Sequence, residues 1–101
     1  MNNEKRSSKR QKTSIWIKEL RGDYFFLRNA TNLSDGGLYV ENAQPLELNK
    51  QISYIVHLPD KKEIHFKGKI VHSKNDTFLK GYGVEFISFE KGSAKDLHEV
   101  K

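Results

Sequence analysis

Residues 52–70, ISYIVHLPDKKEIHFKGKI, contain the most regular pattern of the chain. Every second position is apolar in two separate runs: Ile52, Tyr54, Val56 and Leu58, then Ile64, Phe66 and Ile70. This alternation is typical of strands that bury one face, because successive side chains of a strand point to opposite sides. Pro59-Asp60 lies between the runs and favours a turn. The stretch therefore predicts two consecutive β-strands.

Similar patterns lie on both sides of this stretch. Ile15 and Ile17 share one face of a predicted strand, and Arg21-Gly22-Asp23 predicts a hairpin turn before a second strand that opens at residues 24–27. Further strands are predicted at residues 38–41 and 81–87. About six short strands without long helical crossovers favour an antiparallel, closed β-barrel, a fold that leaves no exposed strand edge. The fold class is therefore mainly all-β.

Local features complete this predicted barrel. Gly68 and Gly83 interrupt strands and are candidates for bulges or corners. Ser93-Ala94-Lys95-Asp96 resembles a capping box, which predicts a short C-terminal helix with Leu97 and Val100 facing inward.

Length and composition exclude several classes of protein. The chain has 101 residues, enough for one domain, and no cysteine, which excludes a disulfide scaffold, a thiolate metal site and a cysteine nucleophile. No stretch approaches the roughly 20 apolar residues of a membrane-spanning helix. The N-terminal charges are not followed by the apolar region of a signal peptide. We therefore expect a cytoplasmic domain.

The positive charge is concentrated at one end. The chain carries 18 Lys+Arg against 13 Asp+Glu, a net charge of +5. Residues 1–12 hold five of the cations and one of the anions, so the rest of the chain is nearly neutral. This segment has too few apolar residues to bury, which predicts a flexible basic arm at 1–12 and a folded barrel domain with its C-terminal helix at 13–101. Such an arm either binds an anionic partner or serves as a solubilising tail, and both interpretations are open at this point.

Catalysis and metal binding are not indicated. The four histidines, His57, His65, His72 and His98, show no metal-ligand spacing, and three of them lie in predicted strands, where a solvent-facing position is expected. The chain contains no nucleophile elbow, Walker A loop or dinucleotide-binding fingerprint. We expect no enzyme activity, no catalytic residue, no metal and no cofactor.

Two groups of residues together indicate a binding site. Arg6 and Arg10 lie four residues apart in the arm, and each guanidinium offers a planar fork of donors suited to phosphate or to the guanine edge. Residues 32–37, Asn-Leu-Ser-Asp-Gly-Gly, follow at a predicted turn, where Asn32 and Ser34 offer an amide and a hydroxyl beside glycine backbone. Jointly they predict a site for a doubly charged ligand that contains guanine.

These residues resemble the paired motifs of PilZ domains, bacterial receptors for cyclic di-GMP. Arg6-x-x-x-Arg10 is similar to the family's arginine motif, and Asn32-x-Ser34-x-x-Gly37 is similar to its second motif. Gly81-Tyr82-Gly83-Val84-Glu85-Phe86 resembles a strand near the end of these domains. The resemblance extends from Arg6 to about Leu97.

The resemblance implies a six-stranded antiparallel barrel with a C-terminal helix and a function in signalling. By likeness, Arg6 and Arg10 would clamp cyclic di-GMP, and Asn32 and Ser34 would read a guanine edge. Gly37 would hold the turn. The ligand would order the arm and so change the surface offered to a downstream protein partner.

The same resemblance assigns supporting positions. Gly36 would assist Gly37 in the turn, and Lys5 and Lys9 would support the arginines. Many family members carry Asp where this chain has Asn32, which removes a negative charge close to the ligand.

Two alternatives remain open at this point. The first is a PilZ adaptor that binds no ligand and acts by protein contacts alone. The second is a small barrel that binds single-stranded nucleic acid through aromatic platforms, for which Trp16, Tyr24, Phe26 and Tyr39 are candidates. The nearly neutral body argues against a basic groove for a polymer, so we do not expect nucleic acid as a partner, and we expect no insertion into a membrane.

Overall fold

The structure, a computed structural model of the 101-residue chain, describes residues 14–75 and 80–98. Its elements are β1 (Ile15–Arg21), β2 (Tyr24–Thr31), β3 (Gly37–Glu41), β4 (Gln51–His57), β5 (Glu63–Asn75), β6 (Lys80–Lys91) and α1 (Ala94–His98). Within the described ranges, these elements confirm the predicted six strands and short C-terminal helix. The predicted arm at 1–12 and the inward position of Val100 lie outside the described residues.

The strands close into an antiparallel barrel. Their order around the barrel is β1-β2-β3-β6-β5-β4, and β4 returns to pair with β1. This closing seam pairs Lys18 with Ile55 and Glu19 with Tyr54. The neighbouring seam is longer, because β4 pairs with β5 along its whole length. Each strand therefore pairs with two neighbours, and this closure confirms the predicted fold class.

The predicted alternation matches the buried face. Ile15 and Ile17 of β1 are buried, as are Ile52, Tyr54 and Val56 of β4 and Ile64, Phe66 and Ile70 of β5. Aromatic rings fill one part of the interior: the Tyr54 and Phe66 rings stack with centroids 5.1 Å apart, and Phe86 meets Phe66 edge-on at 5.0 Å. Burial of these side chains from water is the main stabilising contribution to the barrel.

Strands β5 and β6 are longer than the alternation predicts. Their pairing is irregular at three points, between His65 and Phe66, between Lys67 and Gly68, and between Ile70 and His72. Gly68 lies at the second irregularity and Gly83 pairs with His72 at the third, which confirms both as glycines of bulged regions. The extra length extends both strands past the body of the barrel.

One of the two hydrogen bonds of the predicted capping box forms. The Ser93 backbone N–H donates to Asp96 Oδ2 at 3.0 Å, so the Asp96 carboxylate satisfies an amide at the start of α1. Leu97 is buried, which confirms its predicted inward position and packs the helix against the barrel.

A buried carboxylate was not predicted. Glu19 continues the inward alternation of Ile15 and Ile17, and its side chain is fully buried. Its oxygens accept hydrogen bonds from the side chains of four residues, Arg21, Arg28, Tyr54 and Tyr82. Every lone-pair direction of the carboxylate therefore faces a donor, which is the condition under which a buried charge is tolerated.

Burial and hydrogen bonding act in opposite directions on the pKa of Glu19 and in the same direction on the pKa values of Tyr54 and Tyr82. Burial by itself raises the pKa of Glu19, but hydrogen bonds from Tyr82, Tyr54 and Arg28 outweigh it, so the pKa lies below its ordinary value. Burial, followed by the nearby charge and hydrogen bonds of Glu19, raises the pKa values of Tyr54 and Tyr82 well above the usual range. The cluster therefore holds one carboxylate and two neutral phenols at neutral pH.

Candidate functional site

The turn between β2 and β3 is shaped by one buried side chain. Leu33 is 1% exposed and points into the barrel, so its neighbours Asn32 and Ser34 lie at the surface. Asn32 has a positive φ of 49°, a conformation that asparagine adopts more readily than most residues. The side-chain amide of Asn32 makes no hydrogen bond to any described residue. The turn thus presents an amide whose donors and acceptor are available.

The end of the turn is held by backbone contacts. The Ser34 N–H donates to the Gly37 carbonyl at 2.9 Å, and the Ser34 hydroxyl donates to the same oxygen at 3.3 Å. The Phe86 N–H donates to the Gly36 carbonyl at 2.8 Å. A Cβ at Gly37 would lie 2.0 Å from the Val84 carbonyl oxygen, so only glycine fits against β6 at this position.

The four turn residues that were predicted to bind a ligand line one cavity. It has a volume of about 390 Å³ and is called the turn cavity below. Its remaining walls come from β3, β5 and β6: Leu38, Tyr39, Val71, His72, Gly83, Val84 and Glu85. The structure therefore brings together Asn32, Ser34, Gly36 and Gly37, which the sequence predicted as binding residues. A volume of this size suits a small ligand.

A second cavity adjoins the first. It has a volume of about 430 Å³, and we call it the hairpin cavity because the extended ends of β5 and β6 form part of its wall. Its lining residues are Asn32, Tyr39, Glu41, Asn42, His72, Lys74 and Lys80. Asn32, Tyr39 and His72 line both cavities, so the two form one continuous depression across the barrel surface.

His72 reaches this wall because of a bulge. Ile70 faces the core and pairs with Val84, but the next pair joins His72 to Gly83, so Val71 has no opposite residue. The extra residue reverses the face of β5, and His72 consequently points outward although it is two positions from a buried residue. A Cβ at Gly83 would lie 2.6 Å from the His72 ring, which shows that the ring lies directly on the glycine backbone.

Sequence reasoning missed several residues of this wall. It assigned no binding role to His72, Lys74, Lys80 or Glu85, and it named Tyr39 only as a candidate aromatic platform for nucleic acid. His72 was predicted to face solvent, which is confirmed, but its place in the cavity depends on the bulge. The one available signal was Gly81-Tyr82-Gly83, whose small residues make room for side chains of neighbouring strands.

The carboxylates around the depression differ in how closely a positively charged or hydrogen-bonding group approaches them. Glu85 of the turn cavity has Lys69 Nζ at 3.9 Å, so its charge is partly offset. Asp35 of the turn is highly exposed and lies 3.6 Å from His98 Nε2 of α1, which places the helix end beside the β2–β3 turn. Glu41 of the hairpin cavity accepts a long hydrogen bond from Thr31 at 3.4 Å. Among the described residues, lysines line the hairpin cavity but not the turn cavity.

The basic part of the predicted site lies outside the described residues. This applies to Arg6 and Arg10 and to the supporting Lys5 and Lys9. Their contribution to the ligand site therefore stays a prediction.

The described residues form neither a metal-binding group nor a membrane-spanning helix. Residues 14–75 and 80–98 contain no group of three or more histidine, cysteine or carboxylate side chains that could hold a metal ion. In the same ranges, no helix is long and apolar enough to cross a membrane.

Aromatic residues are exposed on the β1–β2 hairpin. Trp16 and Tyr24 are each 63% exposed, and Phe26 is 40% exposed. The guanidinium groups of Arg28 and Arg21 lie 4.7 and 5.2 Å from the Phe26 ring centre. Because both arginines also form ion pairs with Glu19, their positive charge is partly neutralised within the protein.

Comparisons with known proteins give a consistent result. A family profile described as PilZ domain matches residues 4–100. Among solved structures, the inhibitor of motility MotI/DgrA from Bacillus subtilis is similar, with a TM-score of 0.73 at 15% sequence identity. The similarity covers 96% of this chain and 49% of that chain, so this chain spans about half the length of that neighbour. At this identity the likeness concerns the fold alone. The search of curated proteins returned no match.

Proposed function

Because the chain belongs to the PilZ family, whose members are generally cyclic di-GMP receptors, we propose that it binds cyclic di-GMP and relays this signal to a protein partner. PilZ domains are receptor or adaptor domains rather than enzymes. The cytoplasmic location predicted from the sequence suits a receptor for an intracellular messenger and is part of the proposal.

One observation carries the proposal: the turn cavity. Asn32, Ser34, Gly36 and Gly37 were predicted from a motif of six residues, and all four line a single cavity of about 390 Å³. Convergence of few polar groups in a concave site is typical of small-molecule binding.

The chemistry of these residues suits guanine. The Asn32 amide both donates and accepts, so it can pair with the N–H and carbonyl groups of a guanine edge. The Ser34 hydroxyl keeps lone pairs free for a guanine N–H, because its own proton is directed at the Gly37 carbonyl. Gly36 and Gly37 act through the turn backbone rather than through side chains. Asparagine at position 32 also avoids placing a carboxylate beside a dianion.

The arm supplies the clamp in this proposal. Arg6 and Arg10 form charge-assisted hydrogen bonds to phosphate and guanine, and Lys5 and Lys9 add positive charge nearby. Binding neutralises the mutual repulsion of these cations and orders the arm over the turn cavity. The ordered arm then presents a new surface to the downstream partner.

Calorimetric titration of cyclic di-GMP into the whole chain tests the clamp. We expect Arg10→Ala to weaken binding about tenfold or more, because it removes charge-assisted hydrogen bonds worth about 1.5–3 kcal/mol. Lys12→Ala is the matched control, since it removes one charge from the same arm but lies outside the motif. We expect this control to change the affinity less than about threefold.

Each other outcome has a definite meaning. Equal binding by wild type and Arg10→Ala would remove the clamp from the proposal. Absence of binding by a folded wild-type chain would contradict the receptor function and favour the adaptor that acts by protein contacts alone. A gel shift with labelled single-stranded oligonucleotides that persists at physiological salt would favour the nucleic-acid alternative, for which Trp16, Tyr24 and Phe26 are exposed.

A further inference from the structure

The hairpin cavity contains two lysines that the PilZ motifs do not include. Lys74 lies near the end of β5 and Lys80 at the start of β6, and both side chains line this cavity. Of the described residues that line the two cavities, these are the ones with a full positive charge. Within the described lining of the two cavities, the positive charge therefore lies on β5 and β6 rather than on the turn motif.

The bulge at Val71 explains how Lys74 reaches the cavity. Since β5 changes face at this residue, His72 and Lys74 share the outward face. Ser73 faces the other way, and its hydroxyl donates to the Leu46 carbonyl at 2.7 Å. This hydrogen bond holds the strand in place on its opposite side. The bulge thus directs His72 and Lys74 towards the same depression, as bulges near binding sites commonly do.

The two ammonium groups are not used within the described part of the protein. Neither Lys74 nor Lys80 forms an ion pair with a described carboxylate, although Glu41 lines the same cavity. Glu85, the carboxylate of the turn cavity, is offset by Lys69 instead. Among the described residues that line the hairpin cavity, two lysines stand against one carboxylate, Glu41, which gives this part of the surface a positive balance. A negatively charged group is the ligand chemistry that this balance favours.

We propose that the hairpin cavity is a phosphate-binding subsite, in which Lys74 and Lys80 neutralise a phosphodiester group of a dinucleotide whose base occupies the turn cavity. This inference rests on the proposed function. It means that lysines of the barrel, as well as the arginines of the arm, neutralise the negative charge of the ligand. The shared wall of Asn32, Tyr39 and His72 lets one ligand extend from one cavity into the other.

The experiment is a calorimetric titration of the double variant Lys74→Gln/Lys80→Gln with cyclic di-GMP at several salt concentrations. We expect the affinity to fall about tenfold or more and its dependence on salt to become weaker, because both ammonium–phosphate contacts are lost. We expect Lys74→Arg/Lys80→Arg to restore most of the affinity, since it keeps both charges.

Lys62→Gln/Lys91→Gln is the matched control. It removes the same charge from exposed positions at the other end of β5 and β6, and the eleven residues between Lys62 and Lys74 all lie in the extended strand β5, where each residue spans about 3.3 Å. We expect it to change the affinity by less than about threefold.

The outcomes separate the two proposals. If wild type binds and the Lys74→Gln/Lys80→Gln variant binds equally well, the phosphate subsite is wrong and the receptor function stands. If both lysine pairs weaken binding to the same extent, the effect is one of net charge and the subsite is again wrong. If a folded wild-type chain does not bind cyclic di-GMP, both proposals are overturned.

Discussion

At the scale of single residues, Glu19 connects parts of the barrel that are distant in sequence. Its carboxylate accepts bonds from β1 and β2 arginines and from tyrosines of β4 and β6. The Tyr54 bond, of 2.9 Å, crosses the short seam between β1 and β4. Removing the carboxylate leaves these donors without their acceptor. The free-energy penalty of unsatisfied buried donors is larger than the net stabilisation that their hydrogen bonds contribute.

The first stability prediction concerns Glu19→Gln. Because the folded-state pKa of Glu19 lies below the ordinary value of 4.5, the ionised side chain stabilises the protein above about pH 4.5. That contribution is lost as the pH falls through the folded-state pKa. We therefore expect Glu19→Gln to lower the free energy of unfolding by about 2–3 kcal/mol at pH 7, with a smaller difference from wild type in acid.

Urea unfolding at a series of pH values measures this difference. Glu47→Gln is the control, because Glu47 is exposed, and it should change the free energy of unfolding by less than about 0.5 kcal/mol. A difference between Glu19→Gln and wild type that grows as the pH falls below 4.5 would contradict the depressed pKa.

At the scale of elements, the turn between β2 and β3 joins fold and site. Gly37 begins β3 and pairs with Glu85, and its backbone lies against the Val84 carbonyl. Gly36, next to it, has open space where a Cβ would stand. The two glycines of the motif therefore differ: one is required by close packing of strands, and the other is tolerant of a side chain.

The second stability prediction follows from this difference. Gly37→Ala places a Cβ 2.0 Å from the Val84 oxygen, so β3 and β6 must separate. We expect a loss of about 3 kcal/mol or more in the free energy of unfolding, at the upper end of the usual cost of overpacking. Gly36→Ala should cost less than about 1 kcal/mol. Denaturant unfolding of both variants measures this, and equal losses would contradict the predicted contact.

At the scale of the whole molecule, the seams of the barrel are unequal. Among the described residues, β1 meets β4 only around Lys18–Ile55 and Glu19–Tyr54, whereas β4 pairs with β5 from Gln51 to His57. A short stretch of pairing contains few backbone hydrogen bonds, so little free energy is needed to open it locally. The barrel should therefore open first between β1 and β4.

Native-state amide hydrogen exchange tests this third prediction. We expect amides directed across the β1–β4 seam to exchange about tenfold faster or more than those across the β4–β5 seam, because their opening disrupts fewer hydrogen bonds. The amides of the β4–β5 seam serve as the internal control within the same sample. Equal protection of the two seams, or faster exchange between β4 and β5, would contradict unequal closure.

Much of the fold and part of the site were predictable from local sequence. Alternation identified the strands, because burying one face of a strand requires a period of two, and the motif at 32–37 identified four residues of the turn cavity. The wall formed by His72, Lys74 and Lys80 was not predictable. A single bulged residue, Val71, reverses the face of β5. Gly83 was a candidate bulge glycine, but the local sequence does not show that it pairs with His72 or that the extra residue is Val71.

The sequence by itself therefore determined the strand number, the inward faces and the composition of the turn between β2 and β3, since these depend on neighbours in the chain. Only the tertiary structure decided which strands close the barrel, that Glu19 is buried among its donors, and that the extended ends of β5 and β6 place two lysines beside the turn. The physical reason is that these features depend on register and bulges. Pairing between strands sets both, through contacts between residues far apart in the chain.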